Sequence, residues 1–320
     1  MILAFRSGSF QSVNTWLLIP STRGTMTEIT VPDDFELPED WWQTFDSIET
    51  LIKLFRQYVV GLLIGGYYEK EFMKGVYSGF LTWYKGQLFW NTAGHVIDEI
   101  ATALASPKFQ VQVRRWMDNY EVGGTPAGPL HYPKIQMKSW KDIGIDYGVI
   151  AVEGLDAISL IESKQTRVWD LDIWQPPTSI PDGYYAIGFP GEWTKFQSEH
   201  LAESKVALNL QADLACLPIR KIERPADTRG SDFWDDPDTF NGEILPIPDR
   251  SDLIIGNVEG MSGGPVFSIQ SWPDKRFKYR LIGIQHTWDP NTRIISAAPI
   301  EKIMRLLDAW LGDVEQANYV

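Results

Sequence analysis

Three short segments of the chain carry side chains that could do covalent chemistry together. Asn91-Thr92-Ala93-Gly94-His95-Val96-Ile97 places a histidine among small residues just after an apolar run. Asp146-Tyr147-Gly148-Val149-Ile150-Ala151-Val152 opens an apolar run with an acid. Gly260-Met261-Ser262-Gly263-Gly264-Pro265-Val266 holds a serine in a glycine-rich turn that leads into a strand-like run. A serine hydroxyl is a poor nucleophile until an imidazole takes its proton. The imidazole must in turn be held in one tautomer by an acceptor on its other nitrogen, and a buried carboxylate does this while stabilising the imidazolium. Negative charge developing on a carbonyl oxygen needs donors already in place, and the backbone N–H groups of a glycine-rich turn supply them. Acyl transfer is the chemistry these types fit, provided the fold gathers them.

The elements that must position them are mostly short strands. The first 40 residues are weakly patterned and end in Pro32, Asp33, Asp34, Pro38, Glu39 and Asp40, which reads as loop or extended arm. From Trp41 onward, Phe45, Ile48, Leu51, Ile52 and Phe55 recur at three- and four-residue spacings, so a helix with one apolar face is expected. After Arg56 the pattern turns to β. Residues 58–64 run into Gly65-Gly66, and 80–84 and 88–91 flank Lys85-Gly86-Gln87 as a tight hairpin. Further strands are expected at 109–116, 135–138 and 147–152. Residues 174–183 are rich in turn formers and read as the linker. Strands follow at 184–189 and 206–210, then a polar, Pro- and Asp-rich insertion at 220–252, then strands at 265–269, 279–285 and 293–297. Pro299 opens a closing helix with Ile300, Ile303, Leu306, Leu307, Trp310 and Leu311 on one face. The outline is β-rich, in two halves, with a helix before and a helix after. Many short strands with Gly/Pro punctuation indicate sandwiches or barrels.

Composition narrows the function class. The 320 residues suggest two core units at roughly 150 residues each. With 44% hydrophobic and 22% charged residues the chain is globular. Asp+Glu 42 against Lys+Arg 29 gives a net charge of -13, which argues against nucleic acid or anionic lipid as partners. The one cysteine, Cys216, excludes an intramolecular disulfide framework, argues against a zinc-thiolate site and reads as a small buried apolar residue. No run of 18 apolar residues spans a membrane. The start lacks a basic region followed by an apolar one, so a cytoplasmic location is expected, with leaderless export as the alternative. No phosphate-cradling or dinucleotide glycine loop gives nucleotide chemistry an anchor.

In the order His, Asp, Ser the chain resembles the trypsin-like (chymotrypsin-fold) serine peptidases, compact bacterial members without a PDZ domain above all. The resemblance covers residues 56–311. Thr92-Ala93-Gly94-His95 is similar to the family's Thr-Ala-Ala-His, Asp146-Tyr-Gly-Val-Ile to its Asp-apolar-Ala-apolar-Leu, and Gly260-Met-Ser-Gly-Gly-Pro to its Gly-Asp-Ser-Gly-Gly-Pro. Lesser likenesses are Ser78-Gly79-Phe80, Ala186-Ile187-Gly188-Phe189-Pro190, Leu281-Ile282-Gly283-Ile284 and Ala298-Pro299-Ile300. The resemblance implies an all-β fold of two six-stranded antiparallel β-barrels with an N-terminal helical extension and a C-terminal helix. Its expected units are an arm and helix at 1–55, a first barrel at 56–173 with His95 and Asp146, and a second barrel at 184–311 with Ser262. It implies Ser262 as nucleophile, His95 as general base then acid, Asp146 as the orienting carboxylate, and the N–H groups of Gly260 and Ser262 as the oxyanion hole. It implies no cofactor and no metal, and a protein or peptide as substrate.

Two departures bear on regulation and specificity. Met261 stands where zymogen-activated members carry an Asp that pairs with a freed N-terminus, so no activation by N-terminal cleavage is expected. Gly256 stands where basic-specific members have an acid, so Lys or Arg preference is not expected. The pocket wall should come from Gln285, His286, Thr287 and Trp288, with Trp288 narrowing it toward a small or medium apolar side chain.

Each assignment has a plainer rival. Asp142-Ile143-Gly144-Ile145 has the same look as the Asp146 segment, though the longer apolar run follows Asp146. Ser262 could serve a structural turn, and His131, His200 and His286 could be packing or surface residues. Asp232, Asp235, Asp236 and Asp238 lack the Gly and terminal Glu of an EF-hand loop and read as a solvated acidic loop. Among the 14 tryptophans, Trp41-Trp42 read as packing for the first helix. Two function classes follow: a serine endopeptidase, and a gated protease-fold binding or sensing module that acts with a regulatory partner protein.

Overall fold

The computed structural model describes residues 28–30, 45–117, 136–154, 157, 160, 166–201, 205–223, 238–246, 258–271 and 276–317. Seventeen strands and three α-helices organise them. The strands of the later half curl into a closed barrel. Strands β10 (Gly183–Gly188), β13 (Ala215–Lys221), β14 (Phe240–Ile244), β15 (Pro265–Ser271), β16 (Arg276–Asp289) and β17 (Ile294–Pro299) pair antiparallel in the order β16-β15-β10-β13-β14-β17. A further pairing of β16 with β17 closes the ring. A short strand β1 (Glu28–Thr30) adds to the free end of β16, Thr30 opposite Arg276. Strands β11 (Thr194–Leu201) and β12 (Lys205–Ala212) form a separate two-stranded hairpin. The barrel encloses Ala186, Leu217, Ile219, Val258, Met261, Val266, Ile295 and Ala297, the inward-facing residues of these strands and of the turn before β15.

The described strands of the earlier half form no closed ring. They lie in two sheets: β2 (Gly61–Tyr68) between β3 (Glu71–Tyr77) and β6 (Phe109–Met117), and β7 (Met137–Ser139), β8 (Gly148–Val152), β5 (Gln87–Thr92), β4 (Phe80–Tyr84) and β9 (Trp169–Asp170) in that order. They meet at one bridge, Val59 opposite Phe80, beside a Val60 N–H to Gly79 O bond of 2.8 Å. Of the two six-stranded barrels expected, the described residues therefore contain one. A helix that the sequence pattern did not announce, α2 (Gly94–Ala105), follows β5. Val96, Ile97 and Ile100 drop from it into the core with Leu62, Ile64, Trp90, Trp116 and Ile150.

Other boundaries shift for local reasons. Gly65-Gly66 does not end a strand. β2 runs through both with a register shift between them, because a Cβ on Gly66 would lie 2.4 Å from Gln110 O and the neighbouring strand could not approach. β14 lies inside the span read as an insertion, since Phe240 and Ile244 are buried barrel residues. The hairpin at Lys85-Gly86 forms as expected, with both residues at positive φ between β4 and β5.

Helices bracket the strands. α1 (Phe45–Phe55) and α3 (Ile300–Ala317) place Leu51, Phe55, Ile303 and Leu307 in one core with Tyr58, Phe89, Phe267 and Tyr279, so both halves share a buried cluster. Phe55 stacks on Phe267 of the barrel at 4.3 Å and meets Tyr279 edge-on at 5.1 Å. Phe55→Ala should therefore destabilise the protein by about 3–5 kcal/mol, read as a lower urea midpoint at unchanged slope; a shift too small to measure would show that α1 docks without load.

Candidate active site

The ladder between β5 and β8 brings two of the chemistry-bearing segments to one end of one sheet. Thr92, the last residue of β5, stands opposite Gly148, the first of β8. His95 follows Thr92 by one turn into α2, and Asp146 precedes Gly148 in the approach to β8, so both emerge at the same edge. There the Asp146 carboxylate accepts twice from one residue. The His95 backbone N–H donates to Oδ1 at 2.8 Å, and His95 Nδ1 lies 2.8 Å from Oδ2. A ring held through Nδ1–H presents Nε2 as the free base. The side chain of Asp146 is 3% exposed and that of His95 36%, so the acid is sealed and the base is open. Burial pushes the Asp146 carboxyl up. The hydrogen bond and charge of His95, with the charge of His286 added, outweigh that push and hold it below the usual carboxylate range.

A polar and aromatic wall stands behind the acid. Tyr147 is fully buried, and its hydroxyl donates to Asn91 Oδ1 at 2.9 Å, while Asn91 Nδ2 donates to Thr82 Oγ1 at 2.9 Å. The Tyr147 ring stacks on Trp140, and Trp140 meets Trp310 of α3 edge-on. The helix at the end of the described residues thus braces the loop that carries Asp146. Asp142, the rival carboxylate, is exposed in a 3₁₀ turn (Lys141–Ile143) closed by Gly144 at φ 79°. That turn, rather than a strand, separates the two acids.

Ser262 sits at partial exposure in a tight turn before β15. The turn closes through Met261 N–H to Val258 O at 3.0 Å and Gly264 N–H to Met261 O at 2.8 Å. It is stitched to β16 by Gly263 N–H to Gln285 O at 2.7 Å and Gln285 N–H to Gly264 O at 2.9 Å. Gly263 has φ 93°, and a Cβ there would lie 2.0 Å from Thr92 Oγ1 and 2.3 Å from Ser78 O. The serine turn therefore presses directly on the end of β5, three residues before His95. Ser262 Oγ itself makes no hydrogen bond among the described residues; relays of this kind often tighten only around bound substrate.

The backbone N–H groups around Ser262 divide into bonded and unbonded ones among the described residues. The Glu259 carbonyl accepts from Gly191 N–H at 2.6 Å. In a planar trans peptide the carbonyl and the next N–H point in opposite directions, so the Gly260 N–H is turned away from Gly191. Met261 and Gly264 spend their N–H groups inside the turn and Gly263 spends its own on Gln285 O of β16, while neither Gly260 N–H nor Ser262 N–H donates to another group among the described residues. Backbone donors of this kind are what an oxyanion accepts from.

The residues expected to wall a pocket divide. Gly256 lies outside the described residues, as do His131, Asp232, Asp235 and Asp236. Gln285 is buried and pins the serine turn through its backbone. His286 is the extra residue of a bulge, between Gln285 opposite Ala297 and Thr287 opposite Ser296. Its ring is buried, bonds Thr287 Oγ1 through Nδ1 at 2.6 Å, and bears on Asp146. Sequence alone could not place it on the acid, because the bulge decides which way it faces. Trp288 packs against the cluster holding Met261 and Val258. Cys216 is buried, which pushes its thiol up and away from the reactive thiolate. Among the described residues no group of three or more His, Cys, Asp or Glu could hold a metal ion, and no helix is long and apolar enough to cross a membrane.

No family model matches the chain, and no curated protein does. Solved structures similar to it are serine proteases. A thermostable serine protease, AL20, from an extremophilic microorganism is 14% identical over 75% of this chain and 90% of its own, with a TM-score of 0.39. Protease Anisep from Arthrobacter nicotinovorans is 13% identical over 76% and 90%, with a TM-score of 0.43. A Glu endopeptidase in complex with MPD is 12% identical over 87% and 93%, with a TM-score of 0.38. At these scores the functional reading rests on the site's own geometry.

The two bonds on Asp146 set a pH dependence. A carboxyl whose folded-state pKa is depressed contributes stability above its unfolded value, about 3.9, and loses it as pH falls through the folded one. Asp146→Asn should thus unfold at a lower denaturant concentration than wild type at neutral pH, with the gap narrowing below about pH 4. A gap that stays constant from pH 7 to pH 3 would show that the carboxylate is not held by these bonds.

Proposed function

We propose that the chain is a serine endopeptidase that cleaves peptide bonds through Ser262, His95 and Asp146. The observation that supports this reading most is the double acceptance of Asp146 from His95, at 2.8 Å through backbone and ring alike, beside a serine turn with two unspent backbone donors. A buried acid that fixes one imidazole in one tautomer has little structural use that a neutral side chain could not serve, whereas a base that must take and return a proton needs it.

In this reading the steps are as follows. Ser262 Oγ attacks the substrate carbonyl carbon as His95 Nε2 takes the hydroxyl proton. The C=O π electrons move onto oxygen, which sits against Gly260 N–H and Ser262 N–H. Asp146 stays ionised and stabilises the imidazolium. Collapse of the tetrahedral species breaks the C–N bond, and His95 passes its proton to the departing amine. Water then attacks the acyl-enzyme with His95 again as base, and Ser262 Oγ is released with its proton restored. Removing one oxyanion donor costs roughly 3 kcal/mol in enzymes of this chemistry. The unit organisation proposed is likewise the one expected from sequence, with base and acid supplied by residues 56–173 and the nucleophile by 184–311.

A fluorophosphonate probe should label the wild-type chain at Ser262 and leave Ser262→Ala unlabelled. His95→Ala should lose nearly as much reactivity as Ser262→Ala, because the two side chains act as a unit. Wild-type protein that stays unlabelled at Ser262 while folded would remove the reading.

A further inference from the structure

The two backbone donors must keep their direction while the substrate reacts, and one of them sits on the residue least able to hold it. Gly260 has φ 91° and no side chain, so its flanking peptides could turn at little steric cost. Each is instead held by its carbonyl. The Glu259 carbonyl is held by Gly191 N–H, as described above. The Gly260 carbonyl accepts from Ser78 Oγ at 2.6 Å, across 182 residues of sequence.

Ser78 comes from the other half of the molecule, between β3 and β4, and is fully buried. Its hydroxyl donates to Gly260 O and accepts from Phe189 N–H at 2.9 Å. Phe189 directly follows β10 and leads into Gly191, the residue that holds the other peptide. Ser78 O accepts from Thr92 Oγ1 at 2.8 Å, at the end of the strand that leads to His95. One buried residue thus joins three segments: its hydroxyl ties the segment under the turn to the turn itself, and its carbonyl holds the strand end that leads to His95.

We infer that Ser78 is a positioning residue for the oxyanion hole: its hydroxyl fixes the Gly260–Met261 peptide, which lies between the Gly260 and Ser262 donors, and through Phe189 it anchors the segment whose Gly191 holds the Glu259–Gly260 peptide, so that the Gly260 N–H stays aimed at the reacting oxygen. This rests on the endopeptidase reading of the same site. The role is neither nucleophile nor base, since both hydrogen-bonding capacities of the hydroxyl are engaged by backbone and it is sealed from solvent. A serine beyond Ser262 therefore governs the rate of the chemical step without touching substrate.

The test uses the full chain and a fluorophosphonate probe, whose phosphoryl oxygen occupies the place of the substrate's carbonyl oxygen. In the labelling step the Ser262 Oγ–P bond forms, the P–F bond breaks, and fluoride leaves as the serine proton passes to His95. Two quantities are read: the limiting labelling rate at saturating probe and the probe concentration that gives half of it. Ser78→Ala should lower the limiting rate by about 10- to 100-fold and leave the half-saturating concentration within about twofold of wild type, because uniform binding is untouched. The downfield proton resonance of the His95–Asp146 bond should persist, showing that the imidazole pair is intact. Ser78→Cys fills the same space with a weaker donor and should slow labelling in the same way, so the inference remains testable if the alanine variant does not fold. An unchanged limiting rate in either folded variant would overturn it, as would a fall that comes with loss of the downfield resonance. Wild-type protein unlabelled at Ser262 would overturn the endopeptidase reading and this inference with it; a labelled wild type with an unaffected Ser78 variant overturns this inference alone.

Discussion

A carboxylate taken out of water costs several kcal/mol unless hydrogen bonds and a nearby positive charge replace what hydration supplied. Asp146 is such a group, and much of the earlier half is arranged around it. Its two oxygens are satisfied by one residue, His95, through backbone and ring. That is possible because the β5–β8 register delivers the start of α2 and the approach to β8 to the same place. The helix is the device that turns a passing strand end into a donor pair. Without α2 the His95 N–H would be spent in a ladder or on water, and the acid would keep one oxygen unsatisfied. Behind it, Tyr147 and Asn91 keep the loop from relaxing, and the packing of Trp140 against Trp310 ties the loop to α3.

The half that carries Ser262 solves a different problem. A turn in which neither Gly260 nor Ser262 donates its N–H among the described residues has few internal bonds left to define it. Here it is defined from outside: Gln285 of β16 on one flank, Gly191 on another, and Ser78 and Thr92 from the opposite half pressing on Gly260 and Gly263. β4 begins and β5 ends at the interface, where Ser78 and Thr92 reach across. Approach is close enough there that a methyl group on Gly263 would collide with Thr92 Oγ1 and Ser78 O.

The three candidate segments stand out in the sequence because each pairs a chemistry-bearing residue type with a local signal: small residues before His95, an apolar run after Asp146, glycines around Ser262. α1, α3 and the Lys85-Gly86 hairpin are legible for the same reason, since periodicity and turn chemistry are local. α2 is not, although Val96, Ile97 and Ile100 have helical spacing, because the preceding strand and the small residues around His95 mask its start. The division of the described earlier strands into two sheets is not legible either, because it depends on register between strands far apart in sequence. Nor does any pattern within ten residues of Ser78 or His286 say what those side chains touch. A bulge aims one, and a crossing between halves occupies the other.

Met261 shows how the turn can be held without charge. In the resemblance drawn from sequence, the residue before the serine in zymogen-activated peptidases is an acid whose ion pair sets the turn. Here that residue is buried against Ala186, Val258, Val266 and the partly buried Trp288. An acid at this position would lie in an apolar cluster with no counter-charge among those neighbours and would cost several kcal/mol. Burying the methionine side chain instead contributes about 1.5–3 kcal/mol, and its direction of action is the same: it pulls the Gly260–Ser262 backbone down onto the barrel. Hydrophobic burial does not depend on a terminus being freed, and it varies little with pH. The turn is thus set by packing from below and by the Ser78 hydroxyl from across.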